Sequence, residues 1–353
     1  NTSLYETYSH FFHMNIDFNV GSWALSHSLH HWINDGLMAI FFFLIGLEIK
    51  REITAGELSN LKVAILPILA AIGGMVFPAL IYTSLNYETV GSAGWGIPMA
   101  TDIAFAISAL VLLGKRVPTA LVTFLVALAI VDDLGAVIVI ALFYTDTINM
   151  MALSLAGLMF VLMLAFNRFG IHMLLPYFIV GLLMWFFMLE SGVHATIAGV
   201  LAALAIPSTP KRVPSTLTKE AKVLLDEYDK YPVDENYQIN EEQKRILTNI
   251  RNKINEVETP AARLEHNLHL PVALIIIPIF ALANAGIKID FSSISTTIVE
   301  PVSLGIILGL IFGKVIGIFG VSYVAVKLKI AQLPKDSTLS QVFGVAFLGG
   351  IGF

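Results

Sequence analysis

The 353-residue chain contains no cysteine. Disulfides, iron–sulfur clusters and thiol catalysis by its own residues are therefore excluded. Charge is also scarce. Asp, Glu, Lys and Arg make up 13%, where soluble proteins carry roughly 25%. So few charges cannot cover a water-facing surface. Neither sign is concentrated: 21 Lys+Arg stand against 26 Asp+Glu, for a net charge of −5. Nucleic-acid binding, which needs a focused basic face, is disfavoured. What the chain has is apolar residues, at 56%, with a mean hydropathy of +0.79. It also has 26 Gly and 14 Pro, and spanning helices tolerate both. The composition points to an all-α polytopic membrane protein.

A spanning helix needs about 20 apolar residues. Candidate spans run over 33–49, 63–85, 97–113, 118–144, 149–167, 172–189, 192–206, 268–287, 301–326 and 340–353. The chain starts at Asn1 and stops inside the last apolar run, so a longer natural chain is expected. Four parts follow: an exterior segment 1–32, seven spans in 33–206, a charged insertion 207–267, and three spans in 268–353.

The basic residues test this layout. Between successive spans they fall alternately, with 19 on one side, Lys288 alone on the other, and Lys314 inside a span. By the positive-inside rule, 1–32 faces outward and 207–267 is cytoplasmic. Within that insertion, Leu217, Ala221, Leu224, Leu225 and Tyr228 share one helical face. Ile246, Leu247, Ile250, Ile254 and Val257 share another, so a charged helical hairpin is expected, joined through Tyr231-Pro232 to Asn240. In the exterior segment, Ile16-Asp17-Phe18-Asn19-Val20 alternates and meets Gly21-Ser22, which predicts a short β-hairpin. His27, His30 and His31 have metal-face spacing. The sequence shows no nearby acid or Cys to complete such a site, so headgroup and aromatic-belt contacts are the preferred reading.

Ionisable groups inside a bilayer are costly, and each is a functional candidate by default. The mid-span ones are Asp102, Asp132, Asp133 and Lys314. Asp35 and Glu48 bracket the first span. Adjacent helical residues point about 100° apart, so Asp132 and Asp133 cannot serve one partner. One is expected to bind an ion and the other to pair with a cation, for which Lys314 is the candidate. Gly94, Gly96 and Pro98 precede Thr101-Asp102 and predict a broken helix whose freed carbonyls become ion ligands. The Gly-rich 347–353 stretch predicts a second break. Gly305, Gly309, Gly313 and Gly317 recur every four residues and read as a helix-packing stripe. Carboxylates, a hydroxyl and carbonyls are hard oxygen ligands that suit Na⁺, Li⁺ and protons. Competition of these ions at one site exposed alternately to each side gives exchange. A solute-coupled transporter would want more recognition groups at the midplane. An intramembrane aspartyl protease needs a Gly-Asp motif that is absent here. A passive channel fits poorly with a buried lysine facing acids.

Nine strings carry a resemblance spread over nearly the whole chain. They are Trp32-Ile33-Asn34-Asp35, Gly46 to Glu52, Ala71 to Met75, Ala100 to Phe105, Val131 to Ala136, Ser191 to Thr196, Arg263 to His266, Phe280 to Gly286 and Leu348 to Phe353. On them the sequence resembles the NhaA family of bacterial Na⁺/H⁺ antiporters. The resemblance implies an inverted-repeat fold with discontinuous crossing helices, about ten spans here of twelve, the family's first helix being largely missing from this sequence, as are the rest of the eleventh and the twelfth. It implies a bacterial inner-membrane protein that exchanges one Na⁺ or Li⁺ for two protons, electrogenically and with activation at alkaline pH. It implies no cofactor and no enzymatic activity. Partners would be Na⁺, Li⁺, H⁺, the lipid bilayer and a second copy of the chain, joined through residues 14–23. By carry-over, Asp133 would bind Na⁺ and protons, and Asp132 would pair with Lys314. Thr101 and Asp102 match the broken-helix motif, with Asp102 offsetting the facing half-helix ends. Glu48, Arg51, Glu52 and Glu265 match a pH-responsive cluster at the cytoplasmic mouth. The 211–258 insertion departs from the expected pattern.

Overall fold

A computed structural model describes residues 5–20, 23–114, 117–144, 148–212, 215, 217–231, 239–287 and 291–352. The expected hairpin turn Gly21-Ser22, the basic pair Lys115-Arg116, Lys288 and most of the 231–240 connection lie outside these residues. In chain order the elements are α1 (Tyr5–His13), β1 (Asn15–Val20), β2 (Trp23–Ser28), α2 (Leu29–Thr54) and α3 (Leu61–Leu85). A 3₁₀ helix, Ser92–Met99, leads to α4 (Ile103–Leu112). Then come α5 (Thr119–Phe143), α6 (Met150–Arg168), α7 (Leu174–Glu190) and α8 (Thr196–Ala205). The charged insertion forms α9 (Leu217–Tyr228) and α10 (Glu241–Val257). The chain continues as α11 (Pro260–Asn284), α12 (Pro301–Lys327) and α13 (Leu339–Leu348).

Among the described residues, six helices are long and apolar enough to cross a bilayer: α2, α3, α5, α6, α11 and α12. The apolar helices α7, α8 and α13 are shorter. Large apolar side chains such as Leu80, Leu142 and Phe178 are 60% or more exposed on these helices. Around a water-soluble core such a surface would aggregate; against lipid tails it is matched.

The chain divides into two compact units. The first holds 52–146 and 287–353, with α3, α4, α5, α12 and α13. Its core runs through Leu66, Ala70, Leu121, Leu125, Leu128, Ile318 and Val342. The glycine stripe of α12 lies along α3. A Cβ at Gly317 would strike the Gly73 carbonyl, and one at Gly313 would meet the Pro78 backbone at 2.7 Å. Two backbones approach there without side chains between them, as small residues allow in membranes. Gly317→Val is expected to force the helices apart and cost about 1–3 kcal/mol by overpacking. Gly320→Ala, whose added methyl meets nothing within 4 Å, is the control and should be neutral. Thermal midpoints in detergent check both.

The second unit holds 7–51 and 147–286. β1 and β2 pair antiparallel, with Asn15 opposite Ser28 and Val20 opposite Trp23. The insertion folds as two amphipathic helices packed on each other. Glu220 accepts from Lys253, and Arg212 reaches both Glu220 at 3.4 Å and Glu256 at 2.8 Å. The hydrogen bonds from Lys253 and Lys211 hold the carboxyls of Glu220 and Glu256 below the usual range. The insertion closes on itself, since the Arg212 N–H donates to the Glu256 carbonyl at 3.0 Å. The helix α11 starts at Pro260 rather than at 268, where the apolar run begins. Thr259 accepts from Ala262 N–H and Pro260 occupies the first turn, a strong start signal that hydropathy alone overlooks.

The histidine segment corrects one expectation, that no acid lies near. His31 Nδ1 is 3.3 Å from an Asp35 carboxylate oxygen, and the His27 and His31 rings stack with centroids 4.2 Å apart. Among the described residues no group of three or more His, Asp or Glu is arranged to hold a metal ion. Burial and the neighbouring His31 lower the His27 imidazole from its ordinary value, with Glu190 and Asp35 acting in the opposite sense. The folded state thus prefers neutral His27. That preference stabilises the junction above about pH 6.5 and is lost as pH falls below it. Amide protection in β1 and β2, taken relative to the base-catalysed rate of an unstructured chain at the same pH, should be weaker at pH 5 than at pH 8, and equal protection would contradict this.

Candidate functional site

In α5, Leu121, Leu125, Leu128 and Asp132 follow one another at helical spacing, and all are buried. Asp132 is thus the next residue in a core-facing stripe, and it is fully buried. Asp133 is rotated off that stripe and is partly accessible. The expected divergence of the two acids is what the helix imposes.

Lys314 is also fully buried, and its ammonium donates to Asp132 Oδ2. The Thr101 hydroxyl completes the cluster. It accepts from Lys314 at 2.9 Å and lies 2.6 Å from the same Asp132 oxygen. It also lies 3.0 Å from the Gly349 carbonyl, and its single proton serves one of these acceptors at a time. Asp132 Oδ1 is buried and has no hydrogen-bond partner among the described residues. Such an atom is costly to keep desolvated, and a bound cation or proton would repay that cost. Asp133 lies close enough for its charge to act on Lys314.

Lys314 sits between two π-helical stretches, Gly309–Gly313 and Ile316–Gly320. Each widens the helix locally, a distortion frequent at functional sites. Nothing in residue spacing announces it.

Span three is broken. After the 3₁₀ helix the chain is extended over 100–102 and then enters α4. The chain leaves α13 through a turn at Gly349-Gly350, and residues 351–352 lie beside the 100–102 stretch. Asp102 N–H donates to the Ile351 carbonyl at 2.7 Å. A Cβ at Gly352 would come within 3.2 Å of the Ala100 carbonyl, so glycine is what lets the two backbones meet. The Asp102 carboxylate caps α4, accepting from Phe105 N–H at 3.0 Å. It stands at a helix N-terminus, where negative charge is favoured, and not on Lys314.

The other candidates are split between the units. In the second, Arg51 pairs with Glu265, and Glu48 lies one turn before Arg51 on α2. Lys50, which lies outside the candidate set, donates to the Leu204 carbonyl at 2.7 Å and to that of Ile206. It thereby caps the end of α8. In the first unit, Glu52 lines an open cavity of about 550 Å³ with Ser59, Asn60, Thr119 and Thr123.

A helical multi-pass membrane protein with a buried Lys–Asp pair where two helices break has the architecture of an ion-coupled transporter. Comparison with known proteins names the family. The model of the Na⁺/H⁺ antiporter 1 family matches residues 1–353. The chain is 67% identical over all its 353 residues to the Na⁺/H⁺ antiporter NhaA of Sulfurimonas denitrificans, covering 80% of that protein. It is 48% identical to the NhaA 1 antiporter of Saccharophagus degradans and to NhaA of Dichelobacter nodosus, covering 76% of each. The match to the Sulfurimonas protein takes in the 211–258 segment. The chain belongs to the NhaA family of Na⁺/H⁺ antiporters. It is a bacterial multi-pass membrane transporter, with Na⁺ and H⁺ as the transported ions.

Proposed function

We propose that Na⁺ or Li⁺ and protons compete for the Asp133–Asp132 pair, and that alternating exposure of this pair to the two sides drives electrogenic exchange. The observation that carries the reading is the Asp132 carboxylate. One of its oxygens is shared by Lys314 and Thr101, and the other is buried without a partner among the described residues. Asp133, partly accessible beside it, is the ligand that a cation entering from water meets first. Thr101 and the carbonyls of the broken stretches supply neutral oxygens of the kind Na⁺ prefers.

Exchange of one Na⁺ for two protons moves one positive charge inward per cycle. The membrane potential then drives sodium out together with the pH gradient. Protonation of Asp133 removes the Na⁺ ligand, and so activity rises toward alkaline pH. Glu48, Arg51 and Glu265 of the second unit, and Glu52 of the first, are each read as cytoplasmic charges that set local cation concentration. The protein is read as an inner-membrane dimer that uses the β1–β2 hairpin, with 207–267 in the cytoplasm and an inverted-repeat fold.

Everted vesicles holding the full-length protein test the reading. With an acid interior, NaCl and LiCl should collapse the pH gradient at alkaline pH, and KCl should not. Lack of response to every cation, from folded protein, would overturn it.

A further inference from the structure

Tyr144 closes α5, the helix that carries Asp132 and Asp133. Its hydroxyl donates to the Ala93 carbonyl at 2.6 Å and accepts from Gly96 N–H at 3.0 Å. Both partners lie in the 3₁₀ helix Ser92–Met99, which runs directly into the extended stretch that presents Thr101. One hydroxyl thus spends its proton and a lone pair on the same segment.

That segment needs outside support. A 3₁₀ helix has poor internal hydrogen bonds and seldom runs past four residues. Pro98 contributes no N–H. A second tyrosine helps, since the buried Tyr82 on α3 donates to the Gly91 carbonyl at 2.7 Å. Glycines make room for both: a Cβ at Gly96 would meet the Tyr144 hydroxyl oxygen at 2.9 Å, and one at Gly94 would strike that of Tyr82. Trp95 packs edge-on to Phe143, with ring centroids 5.1 Å apart, and keeps the same stretch against the end of α5.

The helix α5 therefore holds one piece of chain at two points. Tyr144 grips it at 93 and 96, and Asp132 receives it at Thr101. The two points are separated by about 18 Å along the helix axis. We propose that Tyr144 is a positioning residue for the exchange reaction, its hydroxyl fixing the 92–99 helix so that the Thr101 hydroxyl stays on the Asp132 carboxylate. The inference rests on the reading of Asp132 and Asp133 as the ion site. Tyr144 does not touch the ion; it acts through Thr101.

The test uses Tyr144→Phe in the full-length protein, which keeps the ring and removes both hydrogen bonds. Na⁺ affinity is read from transport and from the Na⁺-dependent rise of the thermal midpoint in detergent, so that a transport-dead variant still reports. Tyr144→Phe should weaken Na⁺ roughly fivefold, the scale of one hydrogen bond, with the Na⁺-free midpoint near wild type. Thr101→Val should weaken Na⁺ as well, and Tyr144→Phe added to it should change nothing more, because the two lie on one line of action. Unchanged Na⁺ affinity in Tyr144→Phe would overturn the inference. So would independent, additive losses in the double variant, which would mean a general effect on the fold. Asp133→Asn runs alongside. If it binds and exchanges Na⁺ normally, the ion-site reading has failed by itself, whatever Tyr144 does.

Discussion

Asp133→Asn in the full-length protein is expected to lose Na⁺-dependent exchange by a factor of at least about 100. Asparagine keeps the shape and one oxygen of aspartate. It lacks the charge that holds Na⁺ and the proton that Na⁺ displaces. A charged ligand lost from an ion site is worth about 3 kcal/mol, which sets the factor. Asp133 is partly accessible and rotated off the core stripe, so the amide should leave the fold intact. Asp133→Glu, which keeps the charge but displaces it by a methylene, should retain partial activity with weaker Na⁺ affinity. Normal exchange by a folded Asp133→Asn protein would remove this residue from the site.

The largest effect on stability is expected at Lys314. Its pair with Asp132 is fully buried on both sides. Removing one member of such a pair leaves a buried charge uncompensated and costs about 3–5 kcal/mol. Lys314→Ala should therefore lower the thermal midpoint sharply. Removing both charges is a different case, because a buried pair repays little beyond its own desolvation. The double variant Lys314→Ala/Asp132→Asn should recover much of the loss. The Thr101 hydroxyl remains, and it can donate to the oxygen of the amide that replaces the Asp132 carboxylate. A Lys314→Ala protein as stable as wild type would show that the pair contributes nothing to the fold.

The chemistry of the site was legible because a charge in a long apolar run is conspicuous. Asp132, Asp133 and Lys314 stand out for that reason, and 3.6-residue periodicity separates the two acids. The break near Thr101 was legible from Gly94, Gly96 and Pro98. The identity of its partners was not: Gly349 and Ile351 contribute backbone carbonyls, which no side-chain pattern encodes. The π-helical stretches around Lys314 depend on packing against α3, which spacing along one helix does not report. Tyr144 escaped because a tyrosine at the end of a span reads as an interface anchor, although Gly94 and Gly96 hint that something must fit against them. The start of α11 and the His31–Asp35 pair were both readable, one from Thr259-Pro260 and the other from an i, i+4 spacing.

Na⁺ and protons are proposed to compete for one carboxylate site, and the competition has a direct kinetic signature. It is tested most directly by the apparent Na⁺ KM in proteoliposomes, measured at fixed pH steps from 6.5 to 9. Competition predicts that KM falls at least about tenfold per pH unit over the range where the site is protonated, with the maximal rate unchanged. A KM independent of pH, with only the maximal rate responding, would place the proton somewhere other than the Na⁺ site and contradict the account.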